Sequence, residues 1–331
     1  MKIIGKYPSI RLRRVRNNDW IRRLVSENNL SPNDFILPIF VTEGKNKVDE
    51  IKSMPGVYRY TVDKLSKIAD EVAKQKIPMI ALFPYTPEKK KNNIGSEALN
   101  KNNLVCKAIE KIKKKNRNIG IMCDVALDPY TSHGHDGLLI NKIIDNDKTI
   151  KILEQQSLIQ AQAGCDVIAP SDMMDGRIGK IRKILDKNNF KDTKIISYAV
   201  KYSSNFYGPF RDAIGSKNKL KGDKKTYQMD YRNSNEALRE VGLDIKEGAD
   251  MVMIKPGMPY LDIIRLVKDK FKVPVLSYQV SGEYSLLKNA IKNKLIDKEA
   301  IYESLISLKR AGSSAIVSYF ALQISKKINK F

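Results

Sequence analysis

"KIISYAVK" at residues 194–201 is the stretch on which the fold turns, with "ADMVMIKP" at 249–256 as its companion. Ile195, Ile196, Tyr198, Ala199 and Val200 follow one another without polar alternation. Such a run suits a parallel strand covered on both faces rather than a half-exposed antiparallel one. The same signature recurs at 34–41, 78–85, 118–127, 165–172, 273–282 and 314–321. Amphipathic stretches lie between these runs. In "TVDKLSKIADEVAKQ" (61–75), Val62, Leu65, Ile68, Ala69 and Val72 share one stripe, and Thr61 is placed to cap it. "TIKILEQQSLIQAQAG" (149–164) stops at Gly164, a favourable C-cap position. Eight strands with intervening helices predict an α/β fold of the (β/α)8 TIM-barrel class. A doubly wound sheet is the alternative, weakened by the lack of a Gly-rich phosphate turn after the first strand. The basic segment before residue 33 reads as an N-terminal arm (1–32) for subunit contacts, and 33–331 as the barrel.

The bulk composition narrows the function classes. The chain has 331 residues, 42% of them apolar, enough for a sizeable core. No apolar run is long enough for a membrane span. The formal charge is +23, but the excess is mostly lysine spread from Lys45 to Lys330 in segments such as "PEKKKNNIG" and "KAIEKIKKKNRN". A dedicated nucleic-acid surface favours Arg with interleaved aromatics, so neither nucleic acid nor membrane is an expected partner. Three scattered cysteines, Cys106, Cys123 and Cys165, suggest reduced thiols. "MKIIGKYPSIRLRRVR" lacks the apolar stretch of a signal peptide. The expectation is a cytoplasmic protein, with an organelle as the alternative.

In a barrel the catalytic groups stand at the C-terminal ends of the strands. Read in order, those ends supply Asp124 and Asp128, then Ser171 and Asp172, Lys201, Lys255, Tyr278 with Gln279 and Ser281, and finally Tyr319. Lys201 and Lys255 follow apolar runs on successive strands and would point into one pocket. Burial and a second cation both disfavour the ammonium form and yield a neutral amine able to attack a ketone or aldehyde. Tyr202, Phe206, Tyr207 and Phe210 read as walls that keep the site dry. The segment 123–137 gathers Cys123, Asp124, Asp128, His133, His135 and Asp136. With one cysteine there, a thiolate-rich zinc site is unsupported; the carboxylates suit a hard cation or a substrate ammonium group. Arg211, Lys224 and Gln228, within the Gly- and Lys-rich stretch after Lys201, read as hooks for a carboxylate.

"SYAVKYSSNFYGPFRDA", "MVMIKPGMPYLDI", "APSDMMDGR", "YQVSGEY" and "DVALDPYTSHGHDG" together closely resemble the porphobilinogen synthase (5-aminolevulinate dehydratase) family. The resemblance runs from the "RLRR" arm to the last strand. It implies a homo-octamer that condenses two 5-aminolevulinate molecules into porphobilinogen, with loss of two waters, in tetrapyrrole (heme) synthesis. By motif, Lys255 resembles the Schiff-base lysine of the propionate-side substrate and Lys201 that of the acetate-side substrate. Arg211, Lys224 and Gln228 resemble the acetate-side carboxylate ligands, and Ser281 and Tyr319 the propionate-side ones. Asp124, Asp136 and Ser171 match groups around the acetate-side amine. Zinc-dependent members carry three cysteines where this chain has Ala126, Asp128 and Asp136. The resemblance therefore implies the aspartate-rich branch without active-site Zn2+, with no organic cofactor and with an allosteric Mg2+ held by Glu240 near an arm arginine.

Overall fold

Every one of the eight apolar runs forms a strand in the computed structural model, which describes residues 5–216, 220 and 222–329. The outer ends of the expected arm and barrel, residues 1–4 and 330–331, lie outside the described residues, as do Lys217, Lys219 and Lys221. The strands are β1 (Phe35–Thr42), β2 (Met79–Pro84), β3 (Gly120–Val125), β4 (Val167–Pro170), β5 (Lys194–Lys201), β6 (Met251–Lys255), β7 (Val275–Tyr278) and β8 (Ala315–Val317). Each pairs in parallel with its successor, and β8 returns to β1 through Ile36 opposite Val317. The sheet thus closes on itself, which rules out the doubly wound alternative.

The barrel strands are buried because helices cover the outside and side chains fill the inside. All eight residues of β1 are buried, and all of β5 except Lys194. The covering helices behave as amphipathic stripes. Helix α1 (Leu65–Lys74) buries Leu65, Ala69 and Val72, and helix α2 (Leu104–Lys115) buries Val105, Ala108, Ile109 and Ile112. Helix α3 (Asn146–Gln162) ends as read, with Gly164 at φ +100° and the amide of Cys165 bonded back to the Gln160 carbonyl at 3.1 Å. Thr61 makes no cap; its hydroxyl instead accepts the Lys47 amide at 3.1 Å across a hairpin. All three cysteines are buried free thiols.

Two details position the functional end. An antiparallel hairpin, Val48–Glu50 with Tyr58–Thr61, rises after β1. Along the β5–β6 ladder the register then shifts by one residue. Val252 faces Ser197, but Ile254 faces Val200 and Lys255 faces Lys201. The arm is different in kind. Its two short helices, Leu12–Arg16 and Asp19–Leu24, bury nothing within this chain, and Tyr7, Leu12, Trp20 and Leu24 stand exposed.

Candidate active site

The two lysines meet because β5 and β6 are parallel neighbours and Lys201 and Lys255 are register partners. Paired residues of a parallel ladder project to the same face, here the barrel mouth. Both side chains are buried, with 6% and 5% exposure. Their surroundings differ sharply. The Lys255 Nζ lies 4.5 Å from the ring centre of Tyr278, 5.0 Å from Phe210, 5.1 Å from Tyr198 and 5.6 Å from Tyr207. Burial, reinforced by the charge of Lys201, brings its pKa down to about 7, while Asp124, Asp128 and Asp136 pull the other way. Lys201 has polar company: its Nζ donates to Asp136 Oδ1 at 2.9 Å and to the Ser171 carbonyl.

The dry walls were only partly the expected ones. Tyr207 and Phe210 line the Lys255 box, and the Tyr207 hydroxyl donates to the backbone carbonyls of Tyr202 (2.9 Å) and Lys255 (3.2 Å). Tyr202 turns elsewhere, stacking on Tyr260 at 4.2 Å and donating to the Asn233 carbonyl. Phe206 supplies backbone against Gly282 rather than a wall against the lysine. Tyr198, read from sequence as ordinary strand core, is a wall instead.

Asp136 is the hub on the Lys201 side. It is fully buried. Its second oxygen meets Lys224 Nζ at 2.6 Å and accepts from the Tyr227 hydroxyl at 2.8 Å. Burial pushes its carboxyl up, but Lys201 and Lys224 override that and hold it far below the usual carboxylate range. Lys224 also reaches Asp128 at 3.4 Å. His135 Nδ1 lies 3.1 Å from the Tyr227 hydroxyl, and His133 Nε2 lies 3.1 Å from the Asn93 carbonyl. Sequence reasoning missed Tyr227; its signal is a place one turn after Lys224 and next to Gln228, where the Gln228 amide bonds the Lys224 carbonyl at 2.8 Å.

Asp124 completes the floor. Burial and the charge of Asp128 raise its pKa to about 6, against the two lysines and Ser171. Its Oδ1 is buried with no hydrogen-bond partner among the described residues. An orphaned acceptor of this kind is ready to receive a ligand N–H. Asp124, Asp128, Ser171, Lys201, Lys255, Arg211, Lys224 and Gln228 all border one cavity of about 30 Å3. The side chains leave little free space between them.

Ser281 and Tyr319 stand one layer back. Ser281 opens the helix Ser281–Lys292, and its Oγ accepts the Phe210 amide at 2.9 Å. The Tyr319 hydroxyl is 3.1 Å from that of Tyr278, and its ring stacks on Phe40. Both are therefore one residue removed from the Lys255 amine. Glu283 on the same helix accepts the amides of Gly257 (3.3 Å), Met258 (2.5 Å) and Val280 (2.6 Å), which ties down the chain just after Lys255.

Glu240 lies outside this site. It pairs at 3.3 Å with Arg177, a fully buried guanidinium that also meets Asp244 at 3.4 Å and Asp172 at 3.6 Å. Asp172 thus pairs with Arg177 and does not border the lysine cavity. Burial raises the Glu240 pKa to about 7, with Arg177 opposing. Glu240 borders a separate cavity of about 1000 Å3 together with Asp175 and Glu236. These three carboxylates border the space, Glu240 with one oxygen held by Arg177, and it has room for Mg2+ with most of its waters. Among the described residues no group of three or more His, Cys, Asp or Glu side chains is disposed to hold a metal. Cys123 is buried, with its thiol pKa pushed well up by that burial.

Comparison with known proteins converges on one family. The sequence model described as delta-aminolevulinic acid dehydratase matches residues 9–327. A delta-aminolevulinic acid dehydratase of Bradyrhizobium diazoefficiens is 56% identical over 97% of this chain and 91% of its own length. A chloroplastic one of Arabidopsis thaliana is 48% identical over 95% of this chain and 74% of its own. The crystal structure of the Toxoplasma gondii enzyme, solved with its product porphobilinogen, superimposes with a TM-score of 0.95. It is 42% identical and covers 97% of this chain and 92% of its own.

Proposed function

The chain belongs to the delta-aminolevulinic acid dehydratase family and makes porphobilinogen from 5-aminolevulinate, and from that premise we infer that Lys255 and Lys201 each carry one substrate as an imine. The observation that carries the assignment is the register pairing of two buried lysines with opposite environments, one in an aromatic box and one on a carboxylate. With a pKa of about 7, a large share of Lys255 is neutral amine at neutral pH. That amine attacks the ketone of the propionate-side substrate; water leaves and an imine remains. Lys201 does the same for the acetate-side substrate. Two imines on neighbouring strands turn a bimolecular condensation into an effectively intramolecular one. Loss of a proton beside one imine gives the enamine carbon nucleophile. As the carbon–carbon and carbon–nitrogen bonds form, both lysines are released, and the two waters lost balance the two ketone oxygens.

Arg211, Lys224 and Gln228 bind the acetate-side carboxylate in this reading. All three border the cavity, and Lys224 must then exchange Asp128 and Asp136 for substrate. Asp124, Ser171 and Asp136 receive the acetate-side ammonium; the orphaned oxygen of Asp124 supports this. Ser281 and Tyr319 take the propionate-side carboxylate once Phe210 and Tyr278 give way. With only two histidines in the chain, protons move largely between carboxylates, lysines and bound water.

No organic cofactor is needed. Asp128 and Asp136 spend their charge on lysines rather than on Zn2+, while Glu240 takes an allosteric Mg2+ through a water-rich shell. The exposed apolar residues of the 1–32 arm support subunit contacts in a homo-octamer, with 33–331 as the catalytic barrel. No described helix is long and apolar enough to cross a membrane, and the scattered basic charge marks no nucleic-acid surface. A cytoplasmic location fits both.

The test is borohydride reduction in the presence of 5-aminolevulinate, followed by peptide mass mapping. The expected first adduct is on Lys255, and its absence overturns the lysine assignment. In parallel, porphobilinogen formation after chelation is expected to respond to Mg2+. Recovery with Zn2+ alone overturns the metal assignment.

A further inference from the structure

Arg211 sits on a helix of six residues, Gly208–Ala213. A helix that short has no stability of its own, and its last carbonyls lack intrahelical partners. The Arg211 carbonyl is met by the Ser216 amide at 2.8 Å. The next two are met from another part of the fold. Arg59, on the second strand of the hairpin after β1, donates through Nε to the Ala213 carbonyl at 2.7 Å and through Nη2 to the Asp212 carbonyl at 2.6 Å.

Other groups converge on the same segment, residues 212–215. Ser53 Oγ donates to the Asp212 carboxylate at 2.5 Å, and Lys91 Nζ donates to the Gly215 carbonyl at 3.0 Å. The Arg59 guanidinium lies 4.5 Å from the ring centre of Tyr85, which directly follows β2. Gly215 presses on the same ring: it has φ +71°, and a Cβ there would stand 2.6 Å from Tyr85. A fork of two charge-assisted hydrogen bonds on the negative end of a helix is strong and orientation-specific. A stacked guanidinium cannot swing away. The end of the helix is therefore fixed by residues that do not border the active-site cavity.

We propose that Arg59 is a positioning residue for the second 5-aminolevulinate: with Tyr85 it latches residues 212–215, so that Arg211 points at the cavity where the acetate-side carboxylate docks. The proposal rests on the assignment of Arg211 to that carboxylate. Without the latch the helix keeps its Ser281 contact at one end and loses its anchor at the other. Arg211 then samples positions off the cavity, and ligand affinity falls while the chemistry of bound substrate is retained.

The experiment compares the whole enzyme with Arg59→Ala, Arg59→Lys and Gly215→Ala, reading KM and kcat for porphobilinogen formation, thermal unfolding, and the reduced adduct on Lys255. A loss of binding alone appears in KM and not in kcat. The expected result for Arg59→Ala and Gly215→Ala is a KM raised about tenfold or more with kcat within about threefold, in keeping with the cost of small misplacements. The Lys255 adduct should form at the unmodified level. Arg59→Lys should recover part of the KM, because one ammonium still reaches one carbonyl. KM values within about twofold of the unmodified enzyme in both variants overturn the proposal. So does loss of the Lys255 adduct in step with a lower unfolding temperature, the mark of a merely structural role. If the unmodified enzyme gives no adduct on Lys255, the lysine assignment fails, while the KM comparison still decides the latch.

Discussion

Replacing Lys201 by Met tests whether the two amines set one another's chemistry. Lys201→Met keeps length and removes the charge. If the amines keep the strand spacing of about 5 Å, two unit charges at an effective dielectric near 20 repel by about 3 kcal/mol, or about two pKa units. Asp136 keeps Lys224 at 2.6 Å and Tyr227 at 2.8 Å, so it stays ionised and pulls the same way once its first cation is gone. Burial, the largest cause of the Lys255 depression, is unchanged. The Lys255 pKa should therefore rise from about 7 by about one to two units. The sign follows from which form reacts. The nucleophile is the neutral amine, its fraction falls as pH drops through the pKa, and a higher pKa moves the acid limb upward. At pH 7 the variant should form the Lys255 adduct about five- to fiftyfold more slowly, with the gap closing in alkaline solution. The assay is the rate of borohydride-trapped Lys255 adduct across the neutral and alkaline range, which does not require turnover. A midpoint that stays near that of the unmodified enzyme, or moves down, refutes the reasoning.

Two further substitutions probe the scaffold of the site. Asp136→Asn leaves two buried ammonium groups without their shared carboxylate. Breaking a buried pair costs about 3–5 kcal/mol, which thermal unfolding should detect, and porphobilinogen formation should collapse while the Lys255 adduct still forms. Glu283→Gln leaves one acceptor oxygen and sets an amide N–H2 against at least one of the three backbone donors. Chemical denaturation should show a loss of about 2–3 kcal/mol, and an unchanged midpoint would mean that the three contacts carry no net stability.

The barrel was legible because its strands are continuous apolar runs, and no long-range information is needed to see them. Lys201 and Lys255 were legible for the same reason: a lysine closing such a run breaks the pattern. What sequence could not give is the partner of each charged group. Lys224 reads as a free hook for a carboxylate, yet its ammonium rests on Asp136 and Asp128, about ninety residues away along the chain. Tyr227 carries only its closeness to Lys224 and Gln228 as a signal. Tyr202 was a plausible wall by proximity, but Tyr198 takes that place, because side-chain direction depends on a local irregularity in the ladder. Arg59 was invisible as well, since its partners lie 153 and 154 residues away.

That irregularity is also the enzyme's ruler. Between Val252 and Ile254 the shorter strand skips a step, so that Tyr198 and Ala199 together stand opposite Met253. Count the ladder without the skip and Lys255 falls opposite Val200, while Lys201 is one residue out of phase. Since successive side chains of a strand alternate faces, that single count would send Lys201 into the helix layer. The gap between the two amines is therefore fixed by backbone spacing rather than by how the core is packed. Changes of side-chain volume in the barrel leave the gauge intact. Insertion of one more residue between Ser197 and Lys201 breaks it, whereas loss of Ala199 only removes the bulge and leaves Lys201 opposite Lys255.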